Sequence, residues 1–394
     1  MKYLEQNKFT QTIVSFRYLL PLNKETITTY NLMCYMLQSK TEKYQNKEEI
    51  SHVFNKNYGT KMSVGLSVYG KTLSMQYQFR FVRPDWIEQD GYVTSLIEIM
   101  DQFIDHPVFC EETLMESKYL LRNRLLAQLD DPASLSILKA FQNISSTHSI
   151  SISSSGYLDL IDEISLDQVK KLYNSLPAPI IYMTGISNDK LNQFLVSHRQ
   201  LNSFDLNYQI LDSTLQYQNE VIEKDIEQSY IAKVYATQID TKQDEYYSLL
   251  VLNSILGQCP VNLLFNNIRE KHSYCYSIAS SIIRFDGAIY IYAGCAKEDI
   301  EAVNDLIEQQ VQKLIDQDYE DFYLESAKKD LVDSLMASQD VEYSHIERQF
   351  IADALKQGIT QSEKNERIMK VTKEDVSECA KKLLLVSDCV VKEK

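Results

Sequence analysis

Histidine and cysteine are the side chains with which a chain of this kind would most readily hold a catalytic metal, and their spacing here forbids the commonest arrangement. The six histidines are His52, His106, His148, His198, His272 and His345. No two lie three or four residues apart, so no helix can present a histidine pair on one face. The seven cysteines are Cys34, Cys110, Cys259, Cys275, Cys295, Cys379 and Cys389. None forms a C-x-x-C pair, and their number is odd. That pattern fits thiols kept reduced in a cytoplasmic compartment better than a disulfide framework. Cys34 by itself reads as a small buried hydrophobe rather than a ligand or nucleophile. The expectation is that this chain holds no metal and no other cofactor.

Composition narrows the classes further. The 394 residues carry a net charge of −15 and are 44% hydrophobic. An acidic chain is a poor sequence-independent binder of nucleic acid, which needs a basic surface. The charge suits solubility and is compatible with a basic peptide ligand. Met1 to Lys8 lacks the apolar core of a secretory signal. No run approaches the roughly 20 apolar residues of a membrane span. Neither nucleic acid nor a membrane is expected as a partner. The 7 prolines end at Pro260, so long helices and regular strands should dominate the second half.

The elements that must position any site occur twice. Phe54-Asn55 returns as Phe265-Asn266, Glu116-Ser117 as Glu325-Ser326, and Ile164-Ser165 as Val371-Thr372, each at an offset of roughly 210 residues. A period that long means duplication of a whole domain. Thr12–Leu20 reads as a strand, Thr28–Leu37 as a helix, and Met62–Val82 as a hairpin about Tyr69-Gly70-Lys71. Helices follow at Val93–Phe103 and Glu111–Gln128. Ser165-Leu166-Asp167-Gln168 is a capping box opening another helix, and Pro179–Met183 is an apolar strand. The second half repeats this order: strand Tyr230–Thr237, helix Asp244–Leu256, short helix Val261–Arg269, a hairpin about Asp286-Gly287, helices Ile300–Ile315 and Asp321–Ser338, a helix capped at Thr372, and strand Ser387–Val391. The polar stretch Leu201–Lys224 reads as a linker. The expected organisation is residues 1–200, a linker at 201–224, and residues 225–394. Each half is predicted to be α+β, a mainly antiparallel sheet with helices packed on one side.

This order resembles one subunit of the insulinase/pitrilysin family of zinc peptidases, the inverzincins, whose signature is H-x-x-E-H. The resemblance implies a fold like that of the mitochondrial processing peptidase. It also shows what is missing. The stretch matching the signature runs from Asn31 to Leu37. Asn31 and Tyr35 stand where the family has histidines, and Cys34 stands for the catalytic glutamate. Arg124 falls on the position of the distal glutamate ligand. A cation there would repel zinc rather than bind it.

A second motif is kept. Gly257 to Lys271, leading into Ser273–Ser277, is similar to the family's glycine-containing loop, L-F-x-x-I-R-E-K and A-Y-S. Its Gly257 and Asn262 lie in the stretch that the resemblance makes a substrate loop. In two-subunit bacterial members, one subunit holds zinc and the other supplies an arginine and a tyrosine seven residues apart. Arg269 and Tyr276 match that pair. The resemblance implies that they reach a peptide bound at a partner's zinc. A phenol O–H can stabilise the oxyanion of peptide hydrolysis, and a guanidinium can hold substrate carbonyls or a carboxylate. The expected function is therefore the zinc-free subunit of a heterodimeric processing peptidase, inactive alone, with a homologous zinc-bearing partner and a peptide substrate. The alternative is a non-catalytic scaffold or peptide-binding protein of the same fold, such as a homodimer.

Overall fold

The computed structural model describes residues 1–201 and 203–394. Asn202, within the stretch expected as the linker, lies outside them. The chain forms two compact units. One comprises residues 1–126, 154–206 and 339–356, and the other 127–153, 207–338 and 357–394. The sequence-based boundaries at 1–200 and 225–394 follow the repeat. The compact units depart from that division by exchanging residues 127–153 and 339–356 across it.

The first unit is built on a five-stranded sheet. Its strands are β1 (Lys2–Glu5), β2 (Gln11–Pro21), β3 (Lys61–Tyr69), β4 (Thr72–Val82) and β5 (Ile180–Gly185), in the order β1-β5-β2-β4-β3. β1 runs parallel to β5, and the other pairs are antiparallel. The second unit repeats this with β6 (Gln218–Lys224), β7 (Ser229–Ala236), β8 (Cys275–Ile283), β9 (Ala288–Cys295) and β10 (Leu384–Glu393), in the order β6-β10-β7-β9-β8. Again only the outer pair, β6 and β10, is parallel. The duplication read from three short segments is thus a duplication of complete topology. Gly70 and Gly287 turn the two hairpins with positive φ, as glycine permits. Both expected capping boxes are present, Ser165 with Gln168 and Thr372 with Asp375.

β6 occupies the last third of the expected linker. It is a polar edge strand, paired on one side only. Edge strands can be polar on both faces, and nothing in such a sequence separates them from a linker.

Strand alternation sends successive side chains to opposite faces, so each sheet has two surfaces to cover. In the second unit Ile231 and Tyr235 face one core with the helices Ile300–Asp316 and Asp321–Ala337. Ala232, Val234 and Ala236 face a second core with Leu135 and Ala140 of the helix Pro132–Gln142. That helix comes from the first half of the sequence. The first unit borrows in return. Phe16 turns to one face and meets His198, while Arg17 turns to the other and meets the helix Glu342–Leu355. The expected helices against one face are present, and a helix from the other half covers the opposite face.

Arg17 is fully buried, with 0% of its side chain exposed against 33% for Glu347. Its Nη2 donates to Glu347 Oε2 at 2.6 Å and Tyr343 Oη at 2.9 Å. Its plane stacks on Phe350 at 4.3 Å. Tyr69 Oη donates to the other oxygen of Glu347 at 2.6 Å. Burial works against the guanidinium's charge, and Glu347 with the two tyrosines more than restores it, holding the pKa above the ordinary arginine value. Among the described residues no helix is long and apolar enough to cross a membrane, and all seven cysteines are free thiols.

Two stability predictions arise from the borrowed helix. Glu347→Ala leaves a buried guanidinium without its counter-charge and should cost about 3 kcal/mol. Arg17→Met leaves a carboxylate that water can reach and should cost less. Arg17→Met with Glu347→Leu should recover most of the loss, and a double-mutant cycle by urea unfolding measures the coupling. Additive losses would mean that the pair does not secure the helix. The second concerns Glu342, in the first turn of the same helix. Burial raises its carboxyl from the ordinary 4.5 to about 7, against an opposing pull from Arg80, and its Oε1 has no partner among the described residues. A raised acid withholds stability as pH climbs from 4.5 through about 7. Glu342→Gln should match the parent at pH 4 and gain about 1 kcal/mol at pH 8, the figure discounted for partial exposure. A gain that is the same at both pH values would refute this.

Candidate functional site

In the first unit the positions that the resemblance aligns with metal ligands, Asn31, Tyr35 and Arg124, do come together. Asn31, Cys34 and Tyr35 lie on the helix Lys24–Met36, capped by Asn23, whose side chain accepts from Glu25 N. Arg124 lies on the helix Glu111–Asp130. Asn31 is buried. Its Nδ2 donates to the carbonyls of Ile27 at 2.9 Å and Ser154 at 3.0 Å. Its Oδ1 accepts from Arg124 Nη2 at 2.6 Å. The same nitrogen donates to the Ser155 carbonyl at 3.2 Å, and the guanidinium carbon sits 5.9 Å from the centre of the Tyr35 ring.

This donor set does not suit a divalent cation. Burial pushes the Cys34 thiol up to about 12, against the opposing charge of Arg124, so the thiolate that would bind a metal is disfavoured. The amide oxygen of Asn31 is already taken, and the remaining group is cationic. Among the described residues no group of three or more histidine, cysteine, aspartate or glutamate side chains is placed to hold a metal ion.

The second motif lies in the second unit, around the start of β8. The helix Glu245–Asn253 ends in a π-helical turn, Ser254–Gln258, and a second π-helical turn, Phe265–Glu270, precedes β8. Such widened turns often occur at functional sites. Arg269 is exposed at the end of the second turn and stacks on Phe265, with the guanidinium carbon 4.8 Å from the ring centre. Among the described residues no carboxylate pairs with it. Ser273, with φ 57°, then reverses the chain into the strand, its N–H donating to the Arg269 carbonyl at 2.9 Å.

Tyr276 is the extra residue of a β-bulge. Cys275 opposes Cys295 and Ser277 opposes Gly294, so Tyr276 has no partner across the ladder. Cys275 and Ile278 consequently face the same core, which strict alternation would forbid. The bulge turns the Tyr276 ring outward, where it is 70% exposed. Its hydroxyl has no partner among the described residues. Burial raises the Cys275 thiol to about 11, and the charge of Arg269 opposes that rise. The guanidinium is therefore within electrostatic reach of the residue just before Tyr276. The two residues of the motif sit at one end of an edge strand.

Gly257 and Asn262 are placed differently, both buried away from solvent. A Cβ on Gly257 would come within 2.7 Å of Leu264 Cδ1 and 2.8 Å of Ser280 N, so the glycine lets the π-turn lie directly on β8. Asn262 Oδ1 accepts from Phe265 N at 2.7 Å, and its Nδ2 donates to the Cys259 carbonyl at 2.6 Å. It caps the turn that carries Arg269. Three residues were given no role at the site in the sequence reading. Phe265 orients Arg269, and the i, i+4 spacing of an aromatic and an arginine was the available signal. Gly294 lies opposite the bulge, where a Cβ would meet Ser277 Oγ at 3.1 Å and Tyr230 Cε1 at 2.9 Å. A glycine inside an apolar strand is itself a bulge signal. The part played by the Ser155 carbonyl had no signal at all.

Residues 164–331 match the family model described as "Peptidase M16 inactive domain". Across 97% of its length the chain is 22% identical to a Bacillus subtilis (strain 168) protein described as "Probable inactive metalloprotease YmfF", covering 93% of that protein. A conserved protein from Enterococcus faecalis V583 shares the fold with a TM-score of 0.90 at 21% identity, over 100% of this chain and 96% of that one. A peptidase M16 inactive domain from Pseudomonas fluorescens shares it with a TM-score of 0.81 at 15% identity, over 100% and 95%. The duplicated sheets and these likenesses together give the chain the fold of M16-type peptidases, and its residues 164–331 resemble the inactive domain of that family.

Proposed function

We infer that this chain is the zinc-free subunit of a heterodimeric peptide-processing metallopeptidase, and that Arg269 and Tyr276 act on a peptide held at the partner's metal. The observation that carries the reading is the bulge at Tyr276. An aromatic ring that a strand could have buried is instead held in solvent, near an arginine that pairs with no carboxylate among the described residues. Solvent-facing aromatic and arginine side chains of this kind characterise binding surfaces.

The zinc-bearing partner would supply the activated water. This chain's residues would do the rest. The Tyr276 O–H, on a strand fixed by the ladder to β9, would donate to the carbonyl oxygen as negative charge develops on it. Arg269, held by Phe265, would bind a neighbouring carbonyl or carboxylate of the peptide. The backbone fixes where both side chains start, which would limit the reorganisation that accompanies the reaction. Nothing in the pair selects a side chain, which suits processing of varied peptides.

The chain purified alone should contain no stoichiometric zinc and hydrolyse no peptide. Paired with a homologous H-x-x-E-H subunit it should become active. In the pair, Tyr276→Phe should lower kcat by about 100-fold, and Arg269→Ala should lower kcat/KM by about 10-fold or more. Hydrolysis by the chain alone, with the pair's specificity, would sink this reading. Unchanged turnover in both variants, with assembly intact, would favour a scaffold or peptide-binding role instead.

A further inference from the structure

The cluster at the former metal-ligand positions has a property that the peptidase reading does not use. Arg124 Nη2 is committed to Asn31 Oδ1 and the Ser155 carbonyl. Its Nε and Nη1 have no partner among the described residues, and no carboxylate there pairs with it. A guanidinium carries five N–H donors in one plane, so fixing one nitrogen fixes the direction of all the others. The residue doing the fixing, Asn31, is buried and held by two carbonyls of its own, those of Ile27 and Ser154. Tyr35 stands against the guanidinium with its hydroxyl also unpartnered among the described residues.

We propose that the Arg124–Asn31–Tyr35 cluster is an anion site that takes the carboxylate of a peptide. The free N–H groups of Arg124 bind the carboxylate oxygens, and the Tyr35 hydroxyl adds one more donor. The site thus has the opposite charge preference from the metal centre that the family places there. A single guanidinium balances one negative charge, so a carboxylate fits. A phosphate dianion would leave a charge uncompensated on a chain whose net charge is −15. The rigid donors give the site its selectivity, because a peptide amide in place of the carboxylate offers no charge and one acceptor fewer. The proposal concerns this chain alone and does not depend on a partner subunit.

Three capped tetrapeptides test it on the full chain by ligand-observed NMR. They are acetyl-tetra-alanine as the free acid, the same peptide as its C-terminal amide, and an amidated peptide with one alanine replaced by glutamate. The free acid should bind about 10-fold or more tightly than the amide. Binding of the glutamate peptide would show that any peptide carboxylate suffices, and its failure that the site reads a chain terminus. Arg124→Gln should abolish the difference between acid and amide. Tyr35→Phe, which keeps the ring and the Asn31 contacts, should reduce it several-fold and serves where Arg124→Gln does not fold. Equal binding of acid and amide to the unaltered chain, or an undiminished acid preference in Arg124→Gln, would overturn the proposal.

Discussion

A five-stranded sheet with apolar side chains on both faces must be covered twice, and neither half of this sequence covers its own sheet unaided. The second face of β6–β10 is closed by Pro132–Gln142, and that of β1–β5 by Glu342–Leu355. The two closures use different physics. Pro132–Gln142 is held by aliphatic packing of Leu135 and Ala140 against alanines and valines. Glu342–Leu355 also buries Ile346, Phe350, Ala354 and Leu355, and adds to them the ion pair and stacking around Arg17. Burying a guanidinium is unfavourable unless charge and hydrogen bonds are both met, so the polar closure demands one particular helix register where the apolar one tolerates substitution. The finished units require the other half's helix.

The region around β8 shows how a strand can expose a side chain that its pattern would bury. In the regular ladder Cys275 and Ile278 could not both reach the core. Inserting Tyr276 between paired positions lets them do so and leaves the ring outside. Close packing accommodates the bulge at Gly294 across the strand, and Gly257 lets the π-turn lie on β8 beyond it. Asn262 caps the turn that aims Arg269. The buried members of the motif thus shape the backbone, and the exposed members present the chemistry. A motif matched as one run of letters divides into these two kinds only when burial is known.

The sequence made the repeat, the hairpins, the two expected capping boxes and the long helices legible, because each has a local signature. Apolar periodicity located β2, β4, β7 and β9, and Ser165 and Thr372 located helix starts. The elements it hid lack such signatures. β6 is polar because it is an edge. The helices Pro132–Gln142 and Glu342–Leu355 were not read from the sequence, and only three-dimensional packing assigns them to the opposite sheets. At the candidate site, residue identity at Asn31 and Arg124 was readable, but their mutual hydrogen bond was not. Two positions 93 residues apart can be matched to a family without any indication that they touch.

Three arginines show that environment, not residue type, decides what a guanidinium does. Arg17 has its Nη donors on Glu347, Tyr343 and Tyr69 and is sealed from water, so no ligand can reach it, although its buried Nε has no partner among the described residues. Arg124 has one nitrogen fixed and the rest open. Arg269 has its plane set by Phe265 and all of its donors open among the described residues. Rigidity comes from the partners a group keeps, and binding capacity from the donors it leaves free. A buried, charge-paired arginine is structural, and a wholly unconstrained one would lose too much entropy on binding. Arg124 and Arg269 lie between those limits. Each is oriented by neutral neighbours, Asn31 and the Ser155 carbonyl for Arg124 and Phe265 for Arg269, and among the described residues no carboxylate compensates its charge, which leaves it available to an anionic or developing negative group.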